Sequence, residues 1–418
     1  VFTYRNAYNG GGVAIGDLDG DGRPEIVLTA NQGGARLYRN DGAFRFRDVT
    51  EKAGLLARGD DARAWTTGVA MADVNGDGRL DVYVCRAGLD STTRRNALWI
   101  NQGPGPDGVP RFVDEAQARG VADGGYATQG VFLDADRDGD LDLFVLRNSP
   151  RPVTSFGQRN TRAVRDPLGG ARLYRNDGAR FTDVTERAGI YSPENAFGLG
   201  VVAADVDRDG WPDLYVAHDY YERDYLYLNN RDGTFREAHE RAFPVGSYFS
   251  MGLDVADVDD DGWPDVYTTD MFPDDERRLR ATSSFEGWDV YRAKVRIGYG
   301  FQLMRNMLQM NQGDGTFADV GQMAGLARTD WSWSALIADL DLDGRRDVYV
   351  TNGVAHDVTD QDYVAYLANQ ETMQAVTRSG RVDFGTLLKA MPTTPVANVA
   401  FRNAGGLRFA DGAREWGL

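Results

Sequence analysis

Cysteine occurs once in the 418 residues, at Cys85, so no disulfide can form within the chain and no thiolate metal cage can be built. Histidine is nearly as scarce, with His218, His239 and His356. None of the three stands at His-x-x-x-His spacing or beside a cysteine, which leaves zinc without a ligand set. Lysine appears only as Lys52, Lys294 and Lys389 against 43 arginines, a skew that fits a GC-rich coding sequence and says nothing of function. No stretch approaches eighteen consecutive apolar residues, which excludes a transmembrane helix. Neither a Gly-x-Ser-x-Gly elbow nor a phosphate-binding Gly-x-x-x-x-Gly-Lys loop is present. Positive charge is also wanting: 63 acidic residues face 46 basic ones, for a net charge of −17 and a pI near 4.7. A nucleic-acid binder needs a basic footprint, so that class is excluded. The chain opens on Val1 with no signal-peptide pattern, as expected of a processed or trimmed product.

What the chain has in plenty is glycine, 50 residues, and a repeated acidic motif. The pattern Asp-x-[Asp/Asn]-x-Asp-Gly-x-x-[Asp/Glu] begins at Asp17, Asp73, Asp134, Asp205, Asp257 and Asp339, with onsets 56, 61, 71, 52 and 82 residues apart. A short apolar run precedes each motif, such as Gly12-Val13-Ala14-Ile15-Gly16. A β-branched and aromatic run follows it, such as Val82-Tyr83-Val84 or Leu214-Tyr215-Val216. Then come a segment like Leu37-Tyr38-Arg39-Asn40, an Asn-Asp-Gly turn, and a segment like Phe46-Arg47-Asp48-Val49-Thr50. Leu173–Asn176 and Phe181–Thr185 repeat this closely, and Phe317–Val320 and Phe409–Asp411 loosely. Each unit reads as four short strands, A to D, joined by turns. Such units, stacked so that each buries its neighbour's face, make a β-propeller. The expectation is an all-β propeller occupying residues 1–418 as one domain, with six recognisable blades. The pattern leaves a seventh open: an A strand would be due where the chain stops at Trp416-Gly417-Leu418, and residues 1–6 could supply a closing strand.

The motif itself carries the chemistry. Carboxylates at positions 1, 3 and 5 converge if the loop curls, glycine at position 6 allows the sharp turn, and a backbone carbonyl at 7 and an acid at 9 complete an oxygen cage. Calcium prefers six to eight oxygen ligands in flexible geometry, as in the EF-hand loop. Here the closing acid stands at position 9 rather than 12, and strands rather than helices flank the loop. The first loop offers Asp17, Asp19, Asp21, Arg23 (through its carbonyl) and Glu25; the second Asp73, Asn75, Asp77, Arg79 and Asp81. The third offers Asp134, Asp136, Asp138, Asp140 and Asp142; the fourth Asp205, Asp207, Asp209, Trp211 and Asp213. The fifth offers Asp257, Asp259, Asp261, Trp263 and Asp265; the sixth Asp339, Asp341, Asp343, Arg345 and Asp347. Positions 1, 3, 5 and 9 together supply 23 carboxylates, and about six Ca²⁺ ions would bring the net charge from −17 to −5. A structural role follows, each ion neutralising a cluster of acids in a turn.

These repeats resemble the FG-GAP/VCBS propeller repeats of integrin α subunits and bacterial surface proteins. Over nearly the whole chain the resemblance is to the propeller region of the cartilage acidic protein family, whose bacterial members often carry an ASPIC/UnbV domain. It rests on Tyr4-Arg5-Asn6, Tyr8-Asn9-Gly10-Gly11-Gly12, Leu37-Tyr38-Arg39-Asn40, Asp48-Val49-Thr50-Glu51-Lys52-Ala53-Gly54 and Asp330-Trp331-Ser332-Trp333-Ser334. The Phe-Gly…Gly-Ala-Pro signature is degenerate, with only Phe197-Gly198 echoing it, and no ASPIC/UnbV segment follows. The resemblance implies a calcium-dressed extracellular propeller, in bacteria secreted or on the outer surface, without assigned catalysis.

Strand parity assigns two faces. All calcium loops are A–B turns and lie on one face. The long segments 148–169, 270–305 and 353–396 are B–C connections and lie on the other, and 360–376 and 384–390 have helical composition. Residues eight before each motif, Trp65, Tyr126, Phe197, Phe249 and Trp331 (Asn9, beside Tyr8, in the first unit), begin the A strands on that insertion face. They serve either packing between blades or a ligand-binding ring. Residues five before, Gly12, Gly68, Gly200, Gly252 and Ser334, are small, with Gln129 the exception, and allow close approach of the innermost strands. Trp211 and Trp263 are expected to pack their loops. The sequence thus points to a secreted or cell-surface calcium-binding propeller that takes a protein or glycan partner on the insertion face. A carbohydrate-active propeller enzyme is the alternative: His218-Asp219-Tyr220-Tyr221 and His356-Asp357 offer acid/base groups, no carboxylate pair stands out among the 63 acids, and no catalytic residue is assigned.

Overall fold

The structure, a computed structural model, describes all residues except 1–8, 57, 58, 60, 157, 158, 221, 284, 285, 371–373, 375 and 377–381. It is an all-β, six-blade propeller of four-stranded antiparallel sheets with few helices. The expected closing strand at 1–6, the Tyr4-Arg5-Asn6 segment, Tyr8 and Tyr221 lie outside the described residues. The chain divides into two compact units, residues 1–244 with 313–316, and residues 245–312 with 317–418.

The first unit holds four blades. Strands A are Val13–Gly16, Trp65–Ala72, Ala127–Leu133 and Gly198–Ala204. Strands B are Glu25–Leu28, Asp81–Ala87, Asp142–Arg147 and Asp213–His218. Strands C and D follow as short hairpins ending at Asp48, Asp114, Asp183 and Glu237. The second unit holds two blades, with A strands Gly252–Ala256 and Asp330–Ala338 and B strands Asp265–Thr269 and Asp347–Asn352. In every blade the residue before the motif pairs with its ninth residue: Gly16 with Glu25, Ala72 with Asp81, Leu133 with Asp142, Ala204 with Asp213, Ala256 with Asp265, Ala338 with Asp347. The acidic loop is therefore the A–B turn at the same register each time.

Period-two alternation decides the core. On one B strand Val82 and Val84 pack toward the first blade with Val27 and Leu37, while Tyr83 and Cys85 pack toward the third with Leu143 and Val145. Both faces of a blade are thus buried by its neighbours, which is why the B strands read as unbroken apolar runs. In the second unit Tyr267, Leu308 and Met310 meet Ile337, Val348 and Val350 in the same way. The innermost strands approach closely. A Cβ at Gly68 would stand 2.7 Å from the Cα of Gln129, and one at Gly252 would stand 2.8 Å from the Cα of Ser334. Gln129, the exception, uses its side-chain amide as a backbone substitute, donating to the Val201 carbonyl at 3.3 Å and accepting from its N–H at 3.2 Å.

The recurring Asp-Val-Thr segment also has a physical cause. The carboxylate of Asp48 accepts from the Thr50 N–H at 2.9 Å and hydroxyl at 2.5 Å, and that hydroxyl accepts from the Leu37 N–H at 2.9 Å. Asp183, Thr185 and Leu173 repeat the arrangement. The three long connections join B to C strands as parity requires. Residues 270–305 carry helices Glu276–Thr282 and Trp288–Lys294, and 353–396 carry Gln361–Ala368 and Phe384–Ala390. Ala413–Trp416 is a short helix after the last strand D, in the place that Thr50–Ala53 and Ala116–Arg119 take after theirs.

Candidate metal loops and the face opposite them

Each A–B loop is built on its own backbone. The position-1 carboxylate accepts from the N–H of the position-6 glycine in all six, at 2.9 Å for Asp17, 2.8 Å for Asp73, 3.2 Å for Asp134, 2.9 Å for Asp205, 2.8 Å for Asp257 and 2.9 Å for Asp339. Those glycines have φ between 82° and 97°, a left-handed conformation that strains any side chain. Curling the loop this way brings acids together. Asp17, Asp19 and Glu25 lie with one carboxylate oxygen each within 4.8 Å of the others. So do Asp134, Asp136 and Asp138, and Asp205, Asp207 and Asp213, as well as Asp257, Asp259 and Asp265, and Asp339, Asp341 and Asp347. These groups could hold metal ions.

Buried oxygens of Asp134, Asp136, Asp207 and Asp341 have no hydrogen-bond partner among the described residues. Burial, then the neighbouring aspartates, pushes the carboxyls of Asp136, Asp207 and Asp259 above their usual range. Desolvated, mutually repelling and donor-poor, these oxygens fit a hard divalent cation. Arginines take up part of the charge: Arg39 meets Asp19 at 2.7 Å, Arg231 meets Asp209 at 2.8 Å and Arg402 meets Asp341 at 2.7 Å.

The ninth residue does more than close the cage. Its two oxygens clamp two backbone N–H groups, one of the loop's second residue and one of an asparagine in strand C. Asp213 accepts from Val206 at 3.0 Å and from Asn229 at 2.8 Å. Glu25, Asp81, Asp142, Asp265 and Asp347 do the same. Burial pushes Asp81 up to about 6 and Asp142, Asp213 and Asp265 up to about 7. That strand C asparagine then ties one blade to the loop before it. Asn101 donates to the Leu18 carbonyl at 2.8 Å, Asn176 to Val74 at 3.2 Å and Asn229 to Ala135 at 2.8 Å in the first unit. Asn403 donates to Val258 at 2.9 Å in the second. Sequence reasoning missed this clamp, although its signal was present: asparagine closes strand C at 40, 176, 229, 311 and 403, and stands at 101 within the longer strand Ala97–Pro104.

The other end of each blade is different. Phe197 is buried, edge-on to Phe156 at 6.0 Å and Tyr220 at 4.9 Å. Tyr126 lies beneath the Arg94 guanidinium at 4.2 Å. These two serve packing. Trp65, Phe249 and Trp331 stay half-buried, and Trp331 stacks on Trp333 at 6.3 Å. Trp211 meets the loop before its own, with Arg137 5.4 Å above its ring. Buried ion pairs anchor the connections: Arg86 with Asp61 at 2.9 Å, Arg162 with Glu222 at 2.7 Å, and Arg278 with Asp330 at 2.5 Å and Asp357 at 2.9 Å. Their partners are 25 to 79 residues apart, so no local pattern announces them. His218 is buried edge-on to Tyr225 at 4.6 Å, and burial holds its imidazole down at about 3, so it stays neutral. His356 is half-buried, 2.9 Å from the Thr393 hydroxyl. Among the described residues no helix is long and apolar enough to cross a membrane.

Fold and loops together define a repeat propeller whose A–B turns carry clustered acids. Residues 17–84, 163–216, 205–268 and 298–350, a little over half of the chain, match the FG-GAP-like repeat, and the chain belongs to that family. It is similar to cartilage acidic protein 1 of Mus musculus, 25% identical over 329 residues, covering 66% of this chain and 47% of that protein. The Homo sapiens protein is 27% identical over 212 residues, 50% of this chain and 28% of that one. The matches thus span less than half the length of these relatives. Among solved structures, an Agrocybe aegerita lectin that recognises non-reducing terminal N-acetylglucosamine aligns over 95% of this chain and 78% of its own, at 16% identity and a TM-score of 0.46.

Proposed function

We propose that this chain is a calcium-loaded recognition module working outside the cell, binding or adhering to a protein or glycan through the face that carries the three insertions. The observation that carries the reading is a segregation along the blades: in five of the six, among the described residues, acids gather in the A–B loop closely enough to share an ion, and connections 148–169, 270–305 and 353–396 leave from the opposite end of theirs. About six Ca²⁺ ions, held by the thirty loop positions named above, stiffen the loops and remove the repulsion among their carboxylates. The carbonyls of Arg23, Arg79, Asp140, Trp211, Trp263 and Arg345 complete the cages. Sites of this ligand type in extracellular modules bind at roughly 10⁻⁴ to 10⁻³ M, far above cytosolic free calcium, which supports a secreted or outer-surface location. Loops of variable length on a rigid scaffold are where recognition surfaces are usually built. The test pairs a calcium titration with a binding screen. Chelation is expected to lower the melting temperature strongly, and the calcium-loaded chain to bind members of an array printed with glycans and extracellular proteins. Deletion of 353–396 should abolish that binding while the blades stay folded. An unchanged melting temperature in excess EDTA, or binding indifferent to the deletion, overturns the reading.

A further inference from the structure

Within the second unit the insertion face is not flat. A cavity of about 320 Å³ opens between connections 270–305 and 353–396 and the start of the last A strand. Phe249, Met271, Trp331 and Val364 give it an apolar wall, and Arg278 and Asp330 give it polar groups. Four observations show that it is built. First, Arg278 is nearly buried and joins three segments, donating to Asp330 at 2.5 Å and to Asp357 at 2.9 Å from its own helix Glu276–Thr282. Second, Asp357 is held in turn by the Thr394 hydroxyl at 2.7 Å. Third, Asp330 sits at φ 74°, a left-handed conformation rare outside glycine, and its own carboxylate accepts from the Trp331 N–H at 2.7 Å. Backbone strain of this kind persists where the surroundings over-determine it, and it clusters at binding sites. Fourth, the Trp331 indole N–H is buried with no acceptor among the described residues.

We propose that this cavity binds a neutral pyranose ring, such as the end of a glycan chain. The inference rests on the recognition reading above and names its ligand class. A pyranose presents an apolar C–H face and an edge of hydroxyls that donate and accept. Trp331, backed by Trp333, and Phe249 supply the platform for that face. Arg278, Asp330 and the Thr282 hydroxyl supply the edge, and a ligand without hydroxyls to pair with such groups is selected against. Charge decides which sugars enter. One arginine faces two carboxylates, Asp330 and Asp357, with Asp275 at the head of the same helix, so uronic acids and sulfated sugars meet net negative charge. The volume accommodates one ring with its substituents and not an extended chain.

The experiment titrates the intact, calcium-loaded chain with methyl glucoside, methyl galactoside, methyl mannoside and methyl glucuronide, following tryptophan fluorescence. A saturable response to a neutral glycoside is expected, with the glucuronide weaker by about tenfold or more. Trp331→Leu should lower affinity by at least about tenfold. Val364→Trp changes a side chain 44% exposed on a helix and fills the cavity without touching the blade, so it should abolish the response in a folded protein. No saturable response to any neutral glycoside, or full affinity in Val364→Trp, overturns the proposal. The array separates the two failures. Extracellular proteins bound in a manner blocked by Val364→Trp would leave the recognition reading standing and sink the saccharide assignment. Failure of glycans and proteins alike would sink both.

Discussion

Replacing Asn229 with alanine is expected to cost far more than the loss of a polar side chain from a hairpin turn would suggest. The side chain is buried, and its amide donates to the Ala135 carbonyl of the preceding blade at 2.8 Å and to the Pro212 carbonyl at 3.1 Å. Its oxygen accepts from the Arg231 N–H at 2.8 Å. Truncation therefore leaves three backbone groups short of a partner, and each buried group left unsatisfied costs about 1–3 kcal/mol. With the turn N–H free to reach water, two carbonyls dominate, and the expected loss is about 2–6 kcal/mol. Asn230→Ala next door is the control, because Asn230 is exposed and its side chain bonds to the hydroxyl of Thr234 and to Arg236; surface changes of that kind stay within about 0.5 kcal/mol. Urea unfolding in saturating calcium measures both. Amide exchange should localise the effect, with faster exchange at Val206 and Asn229, whose N–H groups the same clamp holds. Equal stabilities for the two variants would refute the argument that the asparagine ties one blade to the loop before it.

Three further outcomes are expected. Asp207→Ala should weaken calcium binding at the fourth loop alone, read by titration, whereas Asp213→Asn should destabilise even at saturating calcium, because an amide NH₂ cannot accept from both Val206 and Asn229. Arg278→Leu should destabilise the second unit by about 3–5 kcal/mol, since it strands two buried carboxylates, and adding Asp357→Asn should restore part of the loss in urea unfolding. For pH, His218 stays neutral when folded, held at about 3 against an ordinary 6.5, so only the unfolded chain takes up its proton. Its contribution is full above pH 6.5 and falls as pH drops toward 3, by up to about 1.4 kcal/mol per unit. His218→Gln should flatten the acid limb of stability between pH 6.5 and 5, and an unaltered slope in the variant would contradict the assignment.

Residues near one another in the chain determined a great deal here on their own. The acidic motif specifies the A–B turn because its ligand positions, its left-handed glycine and its closing acid all lie within nine residues, so Asp17 to Glu25 already describes a curled loop. Six copies of it, each followed by an unbroken apolar run such as Val82-Tyr83-Val84, imply blades buried on both faces, and parity then places 148–169, 270–305 and 353–396 opposite the loops. Gly68 and Gly252 announced close approach for the same local reason. Only the tertiary structure decided that the ninth residue is also a backbone clamp and that Asn229 reaches a carbonyl 94 positions away. It alone decided that Phe197 and Tyr126 are packing groups while Trp331 and Phe249 stay half-open. The cavity belongs to this second kind of knowledge. Arg278, Asp330 and Asp357 share no periodicity or motif, and the two connections that carry Arg278 and Asp357 leave different blades. An ion pair spanning 52 or 79 residues is a property of how loops fold back over a scaffold. Its geometry is set by burial and packing, which no window of sequence contains.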